Sequence, residues 1–291
     1  MILVTGATGF TGSHFIRKLV ETDAEIRCLV RKDSDISQLD PKRVEIVYGS
    51  FEDKDSYRKA LVGADKLVNI ASLGFGHAET IVNGAVDAGV NRAIFVSTTA
   101  IFTNLPAKTK AVRMAAEKAV TDSRLNYTIL RPTMIFGTEK DRNMTRLVRF
   151  LNRFPAMPIV GDGNSKQQPI YVEDLAQGIL NSLLSDQCNR KSFNLSGKEP
   201  LTFNEVIDTI AGLLGKRVFK LHFPLGMTLP IVSFYNRLSK NPKIKTEQLL
   251  RLNEDKVFDH SEAAQTFQFN PVTFKQGIAK QIERMRSLRM I

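Results

Sequence analysis

The chain has 291 residues, 43% of them hydrophobic, which is enough to bury a substantial core in one large domain or two modest ones. Two distant cysteines, Cys28 and Cys188, and four histidines without ligand spacing exclude a disulfide framework and a metal knuckle, so no metal is expected and a reduced, cytoplasmic setting fits. The net charge of +11 calls for an anionic partner and is concentrated late: from Lys216 onward 14 Lys and Arg stand against 6 Asp and Glu.

Met1 leads straight into ILVTG, so no signal peptide is expected, and no apolar run is long enough to span a bilayer. In chain order, short apolar runs at 2–5, 25–30, 44–48, 66–71, 93–97 and 127–130 alternate with segments of helical spacing. Continuous apolar strands joined by helical crossovers predict a parallel sheet covered on both faces. After residue 155 the spacing loosens, and PAMPIVGDGNSKQQP reads as a turn-rich boundary before a smaller cap. No interleaved aromatic and basic motif of a nucleic-acid reader is present, and nucleic acid is not an expected partner.

VTGATGFTG, residues 4–12, follows the first strand and opens a helix. Gly6 suits the tight turn, Gly9 lets backbone approach a pyrophosphate, and Gly12 permits close packing under the helix N-terminus. The strand, the helix and the βα series supply the context that gives this motif meaning.

From TGATGFTG onward the chain resembles the extended and atypical epimerase/dehydratase-like branch of the short-chain dehydrogenase/reductase superfamily. The resemblance continues through DKLVNIAS, VSTTAIF, LRPTMIFG, PIYVEDLAQGI and SFNLSGKEPLTFNEV, nearly end to end. It implies an α/β fold: a Rossmann-like doubly wound parallel sheet over residues 1–160, with the helix at 172–185 packed back on it, and a smaller C-terminal α/β cap or substrate domain over 161–291. It also implies cofactor contacts at Gly6, Thr8, Gly9, Phe10, Gly12, Ala71, Ser72, Ser97, Arg113 and Pro132, and substrate contacts at Met134, Lys166, Gln167 and Tyr171.

The second strand ends in Val30, Arg31 and Lys32 rather than in the carboxylate that would hold a ribose 2′-hydroxyl. Two cations suit a 2′-phosphate, so NADP(H) is favoured over NAD(H), with Arg31 the better candidate because its guanidinium binds phosphate bidentately. The alternative is that both are solvated strand-end charges. Ser50 and Phe51 stand where related proteins contact adenine with an Asp and an apolar neighbour.

Related enzymes carry a Ser or Thr after the fifth strand and a Tyr-x-x-x-Lys on the next helix. Anchored on Glu117, that helix places Thr109 at the Tyr position and Arg113 at the Lys position. A threonine hydroxyl is a far weaker acid than a phenol, whereas a guanidinium can still hold a ribose although it exchanges no proton at working pH. Thr99, with Thr98 beside it, matches the substrate-facing hydroxyl, while Lys108 and Lys110 flank the position of the lost tyrosine.

Gln167 stands where related proteins often place an Arg for a nucleotide-sugar diphosphate, with Lys166 adjacent. The expected partner is a small molecule, anionic or sugar-nucleotide in character. Arg142, Arg146, Arg149 and Arg153 recur on one helical face, either as a second anion site or as a solvated face opposite Leu147, Val148, Leu151 and Phe154. The apolar stretch 218–238 followed by KNPKIK suits either cap packing, which is favoured, or contact with a membrane surface. Two functions stay open. One is an NADP-dependent oxidoreductase or epimerase-like enzyme acting on a small carbonyl or sugar derivative, which the sequence slightly favours; the other is a catalytically silent NADP(H)-binding sensor, assembly or scaffold protein.

Overall fold

The computed structural model describes residues 1–105, 108–238 and 246–291. The first part of the chain alternates strands and helices: β1 (Ile2–Thr5), α1 (Phe10–Leu19), β2 (Ile26–Val30), β3 (Glu45–Tyr48), α2 (Lys54–Leu61), β4 (Lys66–Asn69), α3 (Ala78–Asp87), β5 (Arg92–Val96), α4 (Lys108–Thr121) and β6 (Tyr127–Pro132). It continues with β7 (Ile135–Phe136), α5 (Met144–Arg153), β8 (Ala156–Val160), β9 (Lys166–Gln167), β10 (Ile170–Tyr171), α6 (Val172–Leu184) and β11 (Lys191–Leu195). The last part holds β12 (Leu201–Thr202), α7 (Phe203–Leu214), β13 (Phe219–Phe223), α8 (Leu225–Leu238), α9 (Thr246–Leu252), α10 (Ser261–Phe267) and α11 (Phe274–Ser287).

Seven strands form one parallel sheet in the order β11-β6-β5-β4-β1-β2-β3. The chain fills the sheet from β1 outward through β2 and β3, then returns to the other side of β1 at β4. That reversal opens a crevice outside the carboxyl ends of β1 and β4, the place where doubly wound sheets bind ligands.

Both sheet faces are covered, which explains why the strands read as unbroken apolar runs. On one face Phe15, Ile16 and Leu19 of α1 pack with Leu175, Ile179 and Leu183 of α6 and with Phe267 of α10. On the other, Tyr57 and Leu61 of α2, Ile81 and Ala85 of α3, and Ala116 and Val120 of α4 form a second core. A third core belongs to the cap: Val148 and Leu151 of α5, Ile207 and Ile210 of α7, and Ile278 and Ile282 of α11. The chain therefore passes between sheet and cap more than once. α5 lies in the cap core although it precedes residue 160, while β11 and α10 return to the sheet domain.

Local chemistry sets several helix starts. Asp53 accepts from the amides of Asp55 and Ser56 at the head of α2, and reciprocal capping boxes open α7 (Thr202, Glu205) and α11 (Thr273, Gln276).

An ionic clamp joins α1 to α6. His14 Nδ1 lies 2.6 Å from Glu173 Oε1, with Arg17 at 3.2 Å and Lys18 at 3.5 Å. The hydrogen bond from His14, and then the nearby positive charges, pull the Glu173 carboxyl from its ordinary value of 4.5 down to about 2. A depressed folded-state pKa contributes stability above the unfolded value and loses it as pH falls. Thermal unfolding of the wild-type chain should therefore weaken more steeply than that of Glu173→Gln between pH 4.5 and 2. Parallel curves for the two proteins would refute this account of the clamp.

Candidate functional site

The crevice at the sheet reversal is built by glycines. Gly6 has φ +74°, and a Cβ there would lie 2.6 Å from the Ala71 amide nitrogen, so the loops after β1 and β4 touch. Gly12 is tighter still: its missing Cβ would sit 2.0 Å from the Gly6 carbonyl oxygen. The Gly9 amide donates to that same carbonyl at 3.0 Å, closing the turn. Gly9 is also the N-cap of α1 and has no side chain to satisfy the first-turn amides, which leaves them and the positive end of the helix facing the crevice. Such a cradle fits a dinucleotide pyrophosphate. Thr8 and Phe10 flank it, both half-buried.

Asn69, not singled out from the sequence, fixes the opposite wall. It is fully buried, accepts from Thr5 Oγ1 at 2.8 Å and donates to the Ala71 carbonyl at 2.9 Å. An amide at the end of an apolar strand run was the available signal. Ser72 accepts from the Gly74 amide and caps the 3-10 turn Leu73–Phe75.

Arg31 and Lys32 are exposed just beyond β2, and Arg31 Nε lies 3.6 Å from Asp33 in a solvent-exposed pair. Phe51 is half-buried with its ring edge-on to Tyr57, centroids 5.3 Å apart, and 6.0 Å from the His77 ring. Ser50 is half-buried, its amide donating to Ser56 Oγ at 3.1 Å and its hydroxyl oxygen accepting from the Asp53 amide at 3.3 Å.

The far side of the crevice, after β5 and β6, is organised by a buried carboxylate. Glu117 accepts from Ser97 Oγ at 2.5 Å and is gripped by Arg131 through Nε at 3.0 Å and Nη2 at 2.6 Å. The Arg131 guanidinium also stacks over Phe102 at 5.4 Å. Thr99 is 7% exposed, and its hydroxyl donates to the Pro132 carbonyl at 3.3 Å. Thr98 is half-buried and accepts from the Ala100 amide, and among the described residues its hydroxyl proton is uncommitted. On α4, Thr109 is exposed, and the half-buried Arg113 lies over the 3-10 turn: a Cβ at Gly74 would be 3.2 Å from Arg113 Nε. Burial, and secondarily the charge of Arg251, lower the Arg113 pKa, although a guanidinium stays protonated at working pH. Lys110 Nζ donates to the Thr103 carbonyl at 2.7 Å, while the side chain of Lys108 lies outside the described residues.

Among the substrate candidates, Met134 and Tyr171 pack at the edge of the cap core. Tyr171 sits 5.8 Å from Phe136 with the Lys280 ammonium over its ring, and burial followed by the charges of Glu173 and Asp174 raises its pKa. That direction removes it further from proton exchange at neutral pH. Lys166 is exposed, and Gln167 Nε2 donates to the Glu254 carbonyl at 3.3 Å.

The segment after α9 closes over this side. Glu254 accepts from Thr103 Oγ1 at 2.8 Å and from the Asn104 amide at 2.7 Å, tying the loop after β5 to the cap. Lys256 donates to the Arg251 carbonyl, and burial lowers its pKa against the opposing pull of Glu254. Arg251, Glu254 and Lys256 were missed because only tertiary packing brings them beside α4 and β9. A separate groove of about 850 Å³ in the cap, between Asp162, Ser165, His222 and Asn253, is lined by none of the sequence-derived site residues. Among the described residues no cluster of three His, Cys, Asp or Glu could hold a metal, and no helix is long and apolar enough to cross a membrane.

Sheet order, glycine cradle and crevice together define a dinucleotide-binding α/β protein. Residues 6–186 match the NAD(P)H-binding family model, and the chain belongs to that family. Its fold is that of the epimerase/dehydratase-like short-chain dehydrogenases/reductases. A crystal structure of gox2253 superposes with TM-score 0.82 at 20% identity, covering 99% of this chain and 98% of the other. UDP-glucose 4-epimerase from Thermotoga maritima with UDP-glucose gives 0.76 at 17% identity, covering 99% of both. The mitochondrial NADH dehydrogenase (ubiquinone) 1 alpha subcomplex subunit 9 of Arabidopsis thaliana is 27% identical over 251 residues, 78% of this chain and 61% of the relative. The chain thus spans less than two thirds of that relative's length. Ceramide reductase of Caulobacter vibrioides is 26% identical over 259 residues, 84% of this chain and 81% of the relative.

Proposed function

We propose that the protein binds NADP(H) in the crevice and holds it without the tyrosine-lysine proton relay, as a nucleotide-binding sensor or scaffold. The Gly6–Gly12 turn and the first turn of α1 cradle the pyrophosphate. Phe51 covers the adenine side, Arg31 and Lys32 meet the 2′-phosphate, and Arg113 holds the nicotinamide ribose. One observation carries the reading: two of the three hydroxyls after β5 are spent, Thr99 on Pro132 and Ser97 on Glu117, and one of the three Lys110 protons is held by Thr103. This shifts the balance away from the enzyme that the sequence slightly favoured. The similarity to a relative named as a subunit of an NADH dehydrogenase supports the same direction.

A second reading, a reductase of small carbonyl compounds, is supported by Thr98, whose hydroxyl proton at the end of β5 is uncommitted among the described residues, and by the similarity to a protein named ceramide reductase. When bound, the nicotinamide supplies a hydride, and reduction of a carbonyl also needs a proton for its oxygen. Thr98 would hydrogen-bond that oxygen without being acidic enough to give up its own proton. The cations Arg113 and Lys256 favour an anionic ligand on either reading.

Fluorescence titration should show tighter binding of NADPH than of NADH, with Arg31→Asp losing the difference. A charge-assisted hydrogen bond is worth about 1.5–3 kcal/mol, so the change should be at least tenfold. Equal affinities in the wild type would remove the 2′-phosphate assignment. NADPH carrying deuterium at C4, incubated with the 3-keto form of ceramide, keto sugars and simple ketones, should transfer none, and a deuterated alcohol would establish the reductase instead.

A further inference from the structure

The sequence favoured burial of residues 218–238 inside the cap, and the structure corrects this. Six large apolar side chains stand in solvent: Phe219 (71% exposed), Leu221 and Phe223 (49% each) on β13, and Met227 (69%), Ile231 (69%) and Phe234 (65%) on α8. The KNPKIK segment that follows lies outside the described residues.

Strand pairing explains the exposure. Among the described residues β13 pairs only with β8, in parallel register, with Phe219 opposite Ala156, Leu221 opposite Pro158 and Phe223 opposite Val160. Alternation places these six residues on one face, and none is polar. The residues between them turn the other way. Ile159 is buried in the cap core, Lys220 Nζ binds Asp208 at 2.7 Å, and His222 faces the Gly161 carbonyl. Pro224 then leads into α8, where Met227, Ile231 and Phe234 recur at the i, i+4, i+7 spacing of one helical face.

Cations border this surface. Arg146, Arg149 and Arg153 project from α5 and, with Phe150, Phe154 and Met290, line a groove of about 550 Å³. The Arg153 guanidinium lies 5.4 Å over the Phe154 ring, two residues before β8, and the Phe219 amide donates to the Pro155 carbonyl at 2.8 Å. The arginine end of α5 therefore abuts the apolar strand face. Among the described residues, Arg146, Arg149, Arg153 and Arg217 form no ion pair.

We propose that this face docks the protein on an anionic phospholipid surface, with β13 and α8 side chains entering the interface and the α5 arginines meeting lipid phosphates. An apolar face without hydrogen-bonding groups, bordered on its α5 side by arginines, is complementary to acyl chains beneath anionic headgroups. The proposal is independent of what the crevice binds.

The chain has no tryptophan, so one introduced indole reports its own surroundings. Phe223→Trp and Ile231→Trp are read against Leu184→Trp, an exposed position at the end of α6. Vesicles of phosphatidylcholine and phosphatidylglycerol should blue-shift the first two, and brominated acyl chains should quench them, while the third stays unchanged. Each of Arg146, Arg149 and Arg153 changed to Gln should weaken binding about fivefold, the equivalent of about 1 kcal/mol per surface cation. Equal response at all three positions means adsorption by net charge alone and overturns the proposal, as does no response at any. A blue shift that grows with protein concentration without vesicles would show that a second copy covers the face, and would equally overturn it.

Discussion

Gly12→Ala should lose NADPH binding and lower the melting temperature, although alanine is the better helix former. The two effects oppose each other and their sizes decide the sign. Replacing an exposed mid-helix glycine with alanine gains up to about 1 kcal/mol. At Gly12 the new Cβ would sit 2.0 Å from the Gly6 carbonyl oxygen and 2.8 Å from its carbon, and these are backbone atoms that no rotamer change can move aside. Overpacking of this kind costs about 1–3 kcal/mol or more, and relief requires opening the turn that forms the pyrophosphate cradle. Gly212→Ala is the control: it sits in α7 with nothing within 4 Å of the added carbon, and it should be neutral or stabilising. Calorimetry and NADPH titration check both. Intact binding in Gly12→Ala would show that the turn yields and that the cradle is not set by this contact.

Glu117→Gln should destabilise the fold by about 3–5 kcal/mol, the usual cost of leaving one member of a buried ion pair without its partner. The Glu117 and Arg131 side chains are only 8% and 18% exposed, so water cannot replace the lost charge. The substitution would also release Ser97 at the end of β5 and loosen the junction of α4 with β6. Glu117→Gln combined with Arg131→Met removes both charges and should recover part of the loss. Urea denaturation of the two single variants and the double variant gives the coupling energy. A double variant no more stable than Glu117→Gln alone would mean that the pair acts only through packing.

The sequence by itself determined the sheet domain. Its strands are covered on both faces and so appear as apolar runs, and Gly6 and Gly12 announce a turn with no room for a side chain at either position. The reading of Thr109 and Arg113 at the tyrosine and lysine positions rests on residue identity at a fixed spacing, and it belongs to the proposed function. Tertiary structure decided what depends on partners distant in the chain. The hydroxyl of Thr99 is spent on Pro132, 33 residues later, and Glu254 reaches Thr103 across 151 positions. The 218–238 stretch shows the same limit: its apolar spacing says that one face avoids water, but not what covers that face. In a two-stranded sheet one side meets the cap core and the other meets nothing among the described residues, so Phe219, Leu221 and Phe223 remain exposed. Periodicity fixes which residues share a face, while the number of layers stacked on that face is a property of the assembled fold.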